Sequence, residues 1–133
     1  MNWYKIATSS PIVSFDFDDT IYKLSWDNEE NDFARNEQGI PAGSLNMAIK
    51  NLMSRYSNEG AKVIIVSSRM DSTKHEIEEF VAIHNLPVSE IYCTNGQYKL
   101  NTLKNLHVSK HYDDDKVEID LINSDSQIKG ILV

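Results

Sequence analysis

Three aspartates within four residues, Asp16, Asp18 and Asp19, close an apolar run and are followed by Thr20 in SFDFDDTIY. Carboxylates this close repel one another and call for a neutralising cation. A second acidic group, Asp113, Asp114 and Asp115, closes HVSKHYDDD, while Ser67, Ser68 and Arg69 surround the end of the apolar VIIVS. Clustered carboxylates with no base beside them in sequence form a hard oxygen-donor site, suited to Mg²⁺. A calcium loop of the D-x-D-x-D-G type does not fit. Thr20 stands where a third ligand would be, Ile21 replaces the glycine, and a strand precedes the acids. Asp115 reads as an acid at a helix start.

The elements that must position these residues alternate in type. Apolar runs at 11–17, 61–67, 90–93, 108–112 and 128–133 predict strands. Leu45, Ala48, Ile49, Leu52, Met53 and Tyr56 recur at helical spacing, with Gly60 as a stop signal. Asp71 or Ser72 is the expected cap of a helix with Ile77, Phe80, Val81 and His84 on one face. Leu100, Leu103 and Leu106 predict a short helix, and Val117, Leu121 and Ile122 a last one. Residues 23–40 are polar and aperiodic, a loop or small hairpin. Strand–helix alternation implies an α/β fold, a Rossmann-like three-layer sandwich with a mainly parallel sheet. Ligands of such sheets sit outside the carboxyl ends of the strands, where all three polar groups fall.

The bounds agree. A length of 133 residues fits one domain, 1–133, and 41% hydrophobic with 25% charged residues is ordinary for a globular protein. A net charge of −7 argues against broad, non-specific nucleic-acid binding but leaves room for a local basic patch. Cys93 has no second cysteine to pair with, and no apolar run reaches membrane-spanning length. The expectation is a soluble, cytoplasmic protein with no membrane partner.

With these residues in place, the chain resembles the haloacid dehalogenase (HAD) superfamily of phosphohydrolases. DFDDT, residues 16–20, is similar to its DxDx[TV] motif. Ser67 after VIIV, Lys99, and the acids of HYDDD follow in the family's order. The resemblance implies a phosphatase in which Asp16 is the nucleophile and forms an aspartyl-phosphate, and Asp18 is the general acid and base. It implies Mg²⁺ held by Asp16, the Asp18 carbonyl and Asp113, with Asp114 through water. Thr20, Ser67, Ser68, Arg69 and Lys99 are the implied substrate-binding set. Lys104 and Lys110 also precede the acids. Lys99 is preferred because it opens a helix pattern, Lys104 being the main alternative. Position 19 is Asp where many members carry Gly.

The family's usual cap insertions have little room here, since only about twenty residues separate the first motif from the next helix and five lie at 94–98. The resemblance therefore implies a capless member with an open site, whose rim would include Tyr22, Trp26, Arg69 and Lys74. SSRMDSTK, residues 67–74, is similar to a Ser-x-Arg segment in the phosphatase domain of polynucleotide kinase-phosphatases. That favours a nucleotide or nucleic-acid 3′-phosphate end as substrate. The alternative is a non-catalytic, receiver-like phosphate-binding module. A receiver needs an acceptor aspartate on a later strand, and the later apolar strands end in Ser67 and Cys93.

Overall fold

The computed structural model describes residues 10–23 and 43–133. The polar segment expected at 23–40, apart from Lys23, and Trp26 within it lie outside the described residues. Five strands, β1 (Ile12–Phe15), β4 (Lys62–Ser67), β5 (Glu90–Cys93), β6 (Lys110–Asp113) and β7 (Lys129–Leu132), form one sheet in the order β5-β4-β1-β6-β7. Every pairing in it is parallel. A small antiparallel pair, β2 (Tyr22–Lys23) with β3 (Ser44–Leu45), flanks residues 24–42. Among the described residues the helices are α1 (Met47–Asn58), α2 (Lys74–Ile83), α3 (Leu100–Asn105) and α4 (Lys116–Asp125), with a 3₁₀ turn at Asp71–Thr73.

Both faces of the sheet are covered, which explains the unalternating apolar run of β4. Val63 and Ile65 join one core with Phe15, Met53, Ile77 and Phe80, under α1 and α2. Ile64 and Val66 join the other with Leu100, Leu103, Ile119 and Ile122, under α3 and α4. Successive side chains on a strand point to opposite faces, so one strand feeds both cores. The chain moves outward from β1 to β4 and β5, then returns to lay β6 on the other side of β1. With right-handed crossovers, that reversal puts the later helices on the opposite face. It also opens a crevice between the carboxyl ends of β1 and β6, the usual ligand position in such sheets.

The sequence expectations hold for every strand of the five-stranded sheet to within two residues at each end. Leu45, expected on the first helix, lies instead in β3, and two further helix details differ. Neither Asp71 nor Ser72 caps a helix: no side chain caps the 3₁₀ turn or α2. Asp71 instead exchanges hydrogen bonds with Asn95, its N–H donating to Oδ1 at 2.8 Å and its carboxylate accepting from Nδ2 at 3.0 Å. In α4, Val117 is 60% exposed, and the inward face is Glu118, Ile119 and Ile122. Apolar periodicity could not reveal that a carboxylate, Glu118, faces inward. At the end of α1, Gly60 takes φ +92°, the left-handed conformation that the stop signal implied.

The loop after β1 is fixed from below by aromatic packing. Phe17 is fully buried, stacks on Tyr22 at 5.2 Å between centroids, and meets Phe80 edge-on at 5.4 Å. The Phe17 carbonyl accepts from the N–H groups of Thr20, Ile21 and Tyr22, closing a tight turn. Asn46 ties that turn to α1, donating to the Thr20 carbonyl at 3.0 Å and accepting from the Ile49 N–H. Phe80→Ala removes the floor under this loop and should cost about 3–5 kcal/mol. Denaturant unfolding measures it; a loss below about 1 kcal/mol would contradict this account of the packing.

Candidate active site

Three strand ends and one loop converge on a cleft of about 230 Å³ lined by Asp16, Asp18, Asp19, Ser68, Lys99 and Asp113 to Asp115. Asp16 directly follows β1, its N–H donating to the Tyr112 carbonyl of β6 at 2.9 Å. Asp113 ends β6 and is fully buried. The Lys99 ammonium lies between them, 2.8 Å from Asp16 Oδ1 and 2.6 Å from Asp113 Oδ2. Lys99 itself is buried, and its backbone N–H donates to both Glu118 oxygens at 3.2–3.3 Å. Of the three lysines considered, it is the one that reaches the acids. Lys104 lines a different cleft with His107 and Ile128, and the Lys110 ammonium sits over the Tyr56 ring.

A chain of buried polar groups supports this centre. Ser14 Oγ is 2.6 Å from His111 Nδ1, and His111 Nε2 is 2.8 Å from Asp113 Oδ2. A carboxylate can only accept, so Nε2 carries the proton and Nδ1 accepts from the Ser14 hydroxyl. Burial holds the imidazole below its ordinary pKa, consistent with a neutral ring. The other Asp113 oxygen accepts from the Asp115 N–H at 3.0 Å. Asp115 also caps α4, accepting from the Val117 and Glu118 N–H groups, as its place at a helix start implied. His111 and Glu118 are site residues that sequence reasoning missed. For His111 the signal was available, since it lies two residues before Asp113 on one strand and therefore on the same face.

One ammonium does not offset the carboxylates around it. Asp113, hydrogen-bonded by His111 and Lys99, is held well below the usual carboxylate range despite its burial. Asp16 carries the consequence. Desolvation, reinforced by the Asp113 charge and opposed by Lys99, pushes its carboxyl up to about 8. Lys99, against its own burial, is raised by the two aspartates. Asp16, Asp113 and Asp114 each offer an oxygen, and these lie within 4.8 Å of one another. An all-oxygen, charge-deficient donor set fits a hard divalent cation such as Mg²⁺.

Several predicted residues sit differently from expectation. The Asp18 carboxylate is not among the clustered oxygens. It accepts from the Arg69 guanidinium in a two-point fork, Nε to Oδ2 at 2.7 Å and Nη2 to Oδ1 at 2.5 Å. Arg69, with its side chain only 10% exposed and 5.6 Å over the Phe17 ring, turns inward rather than forming an open rim. Thr20 is fully buried and donates to Asp16 Oδ2 at 3.3 Å, so it orients Asp16 rather than facing a ligand. Tyr22 is not a rim residue either, because its ring is locked against Phe17 and Phe80. Lys74 lines a separate cleft along β5. Ser67 is buried, its Oγ accepting from the Arg69 N–H at 3.1 Å, whereas Ser68 lines the acidic cleft. Asp19 has φ +60°, which explains why glycine suits this position and why Asp is tolerated.

No protein-family model and no curated protein matches the sequence. Among solved structures, a chain of the Pnkp1/Rnl/Hen1 RNA repair complex matches with a TM-score of 0.72 and 21% identity, over 95% of this chain and 43% of that one. The N-terminal part of BF1531 from Bacteroides fragilis, containing a phosphatase domain complexed with Mg, matches at 0.60 with 14% identity, over 95% and 37%. The 3-deoxy-D-manno-octulosonate 8-phosphate phosphatase from Moraxella catarrhalis, in complex with magnesium, phosphate and KDO, matches at 0.52 with 19% identity, over 92% and 68%. This chain spans less than half of the first two. It shares the α/β fold of these structures. Between β5 and α3, residues 94–98 form a short loop with no inserted domain. Among the described residues, no helix is long and apolar enough to cross a membrane.

The burial of Asp16 beside Asp113 predicts a pH signature in metal-free protein. Asp16 ionises near 3.8 when unfolded and near 8 in the fold, so the folded state holds an extra proton between these values. Its contribution to stability is therefore lost as pH rises through that window. Asp16→Asn abolishes this loss, so its melting temperature relative to wild type should climb from about pH 5 to pH 8. A pH-independent difference would contradict the assignment.

Proposed function

We propose that this protein is a Mg²⁺-dependent phosphomonoesterase acting through an aspartyl-phosphate on Asp16. The observation that carries the reading is the convergence of Asp16, Asp113 and Asp114 around the buried Lys99 ammonium, in the motif order of the HAD phosphatases. In this reading Asp16 attacks phosphorus in line, and its P–O bond forms as the bond to the leaving oxygen breaks. Thr20 fixes the orientation of the attacking carboxylate. Lys99 and the Ser67–Ser68 hydroxyls bind the phosphoryl oxygens and offset the charge spreading over them. Mg²⁺ would be held by Asp16, Asp113, Asp114 and the Asp18 carbonyl, with Asp113 oriented by His111. Bound there, it supplies the positive charge that lets a carboxylate approach a phosphate dianion.

Asp18 is the proposed acid that protonates the leaving oxygen and the base for the water that cleaves the aspartyl-phosphate. Its carboxylate must leave the Arg69 fork to do so. This makes Arg69 a holder of Asp18 rather than a substrate contact. The favoured substrate is a nucleotide or a nucleic-acid 3′-phosphate end. It is supported by the fold likeness to a chain of an RNA repair complex.

Turnover of p-nitrophenyl phosphate, sugar phosphates, nucleotides and end-phosphorylated oligonucleotides with Mg²⁺ tests the proposal. Activity should vanish with chelator and return with Mg²⁺. Asp16→Asn should be inactive and Asp18→Asn severely impaired, both remaining folded. Lys99→Ala should lose about 10²–10³-fold in rate, with Lys104→Ala and Lys110→Ala mild. Unaltered hydrolysis by Asp16→Asn, or activity indifferent to chelator, would refute the mechanism.

A further inference from the structure

A second cleft of about 220 Å³ adjoins the acidic one, and Ser68, Lys99 and Asp115 line both. Its wall is the 94–98 loop, which carries Gly96, Gln97 and Tyr98. This loop is braced against the segment after β4. The N–H groups of Thr94, Asn95 and Gly96 donate to the carbonyls of Ser67, Arg69 and Ser68 at 2.8–3.0 Å. Asn95 adds its two side-chain bonds to Asp71, and Thr94 Oγ1 closes the loop on the Gln97 carbonyl at 2.7 Å. Asn95 and Gly96 both take left-handed backbone, φ +54° and +82°, which sharpens the bend. The result is a pre-ordered shelf. At its end Tyr98 is 64% exposed, although its sequence neighbour Lys99 is buried.

We infer that this cleft is the leaving-group subsite, and that Tyr98 stacks on a planar heterocycle of the substrate while Lys99 and Ser68 hold its phosphate next door. The inference rests on the phosphatase reading and adds to it where the rest of the substrate lies. An aromatic face on a rigid support stacks any base at little entropic cost. Asp115 and Glu118 also line this cleft, and their carboxylates disfavour a second phosphate there. The space suits one neutral ring, a nucleobase beside the phosphate being cleaved, rather than a phosphodiester backbone. Specificity is then set by Tyr98, in place of the rim first expected from Tyr22 and Arg69.

The test compares kcat/KM for a nucleoside 3′-monophosphate and for glycerol phosphate, which has no ring, in wild type, Tyr98→Ala and Tyr98→Phe. Tyr98→Ala should lose about tenfold or more on the nucleotide and stay near wild type on glycerol phosphate, with Tyr98→Phe close to wild type on both. Equal losses on both substrates, or none on either, would overturn the inference. If wild type hydrolyses neither compound, the phosphatase reading has failed for these substrates. Nucleotide binding to Asp16→Asn, with and without Tyr98→Ala, then decides the shelf alone. Binding weakened by Tyr98→Ala supports it, and unchanged or undetectable binding overturns it.

Discussion

The structure turns on a charge imbalance at one edge of a parallel sheet. Asp16 and Asp113 end neighbouring strands, and Lys99 is inserted between them with all three side chains nearly excluded from water. Breaking a buried ion cluster by removing one partner leaves an uncompensated charge, so no member can be lost without consequence. The cluster is nonetheless underbalanced, because Asp114 adds a third carboxylate oxygen to the same small volume. Burial, reinforced by the neighbouring carboxylates, raises the Asp16 carboxyl, and a divalent cation would relieve the repulsion among them.

Much of the surrounding fold secures this arrangement. The reversal of strand order places β1 and β6 side by side with their carboxyl ends open to one crevice. Ser14 and His111 are register partners on those strands, so their hydrogen bond links the two directly beneath the acids. Glu118, from α4, fixes the backbone of Lys99, while Asp115 caps that same helix. On the other side, Arg69 neutralises Asp18 separately and rests on Phe17, whose ring belongs to the main core. Charge compensation is thus divided between two groups, one buried around Lys99 and one at the cleft's margin.

The sheet and the placement of Asp16, Asp113, Asp114 and Lys99 were legible in the sequence because they follow from local patterns. Strand runs end in polar residues, and parallel sheets gather strand ends on one edge. Lys99 was distinguished from Lys104 by its position at a helix start. What the sequence did not disclose depends on distant partners. Arg69 is 51 positions from Asp18, and no local pattern says that the two form a fork. Thr20 and Tyr22 look like exposed loop residues until Phe17 draws the turn into the core. Glu118 breaks the apolar periodicity of α4 because it faces the Lys99 backbone rather than solvent. Hydrophobic spacing cannot anticipate a buried carboxylate.

The most direct test of the account is to trap the covalent intermediate. Protein turning over p-nitrophenyl phosphate with Mg²⁺ is quenched in acid and reduced with borohydride, which converts an aspartyl-phosphate to homoserine. Peptide mass spectrometry then locates the change. The account predicts homoserine at position 16 and at none of Asp18, Asp113 or Asp114. An unmodified Asp16 in protein that has hydrolysed the substrate, or homoserine at another aspartate, would contradict it.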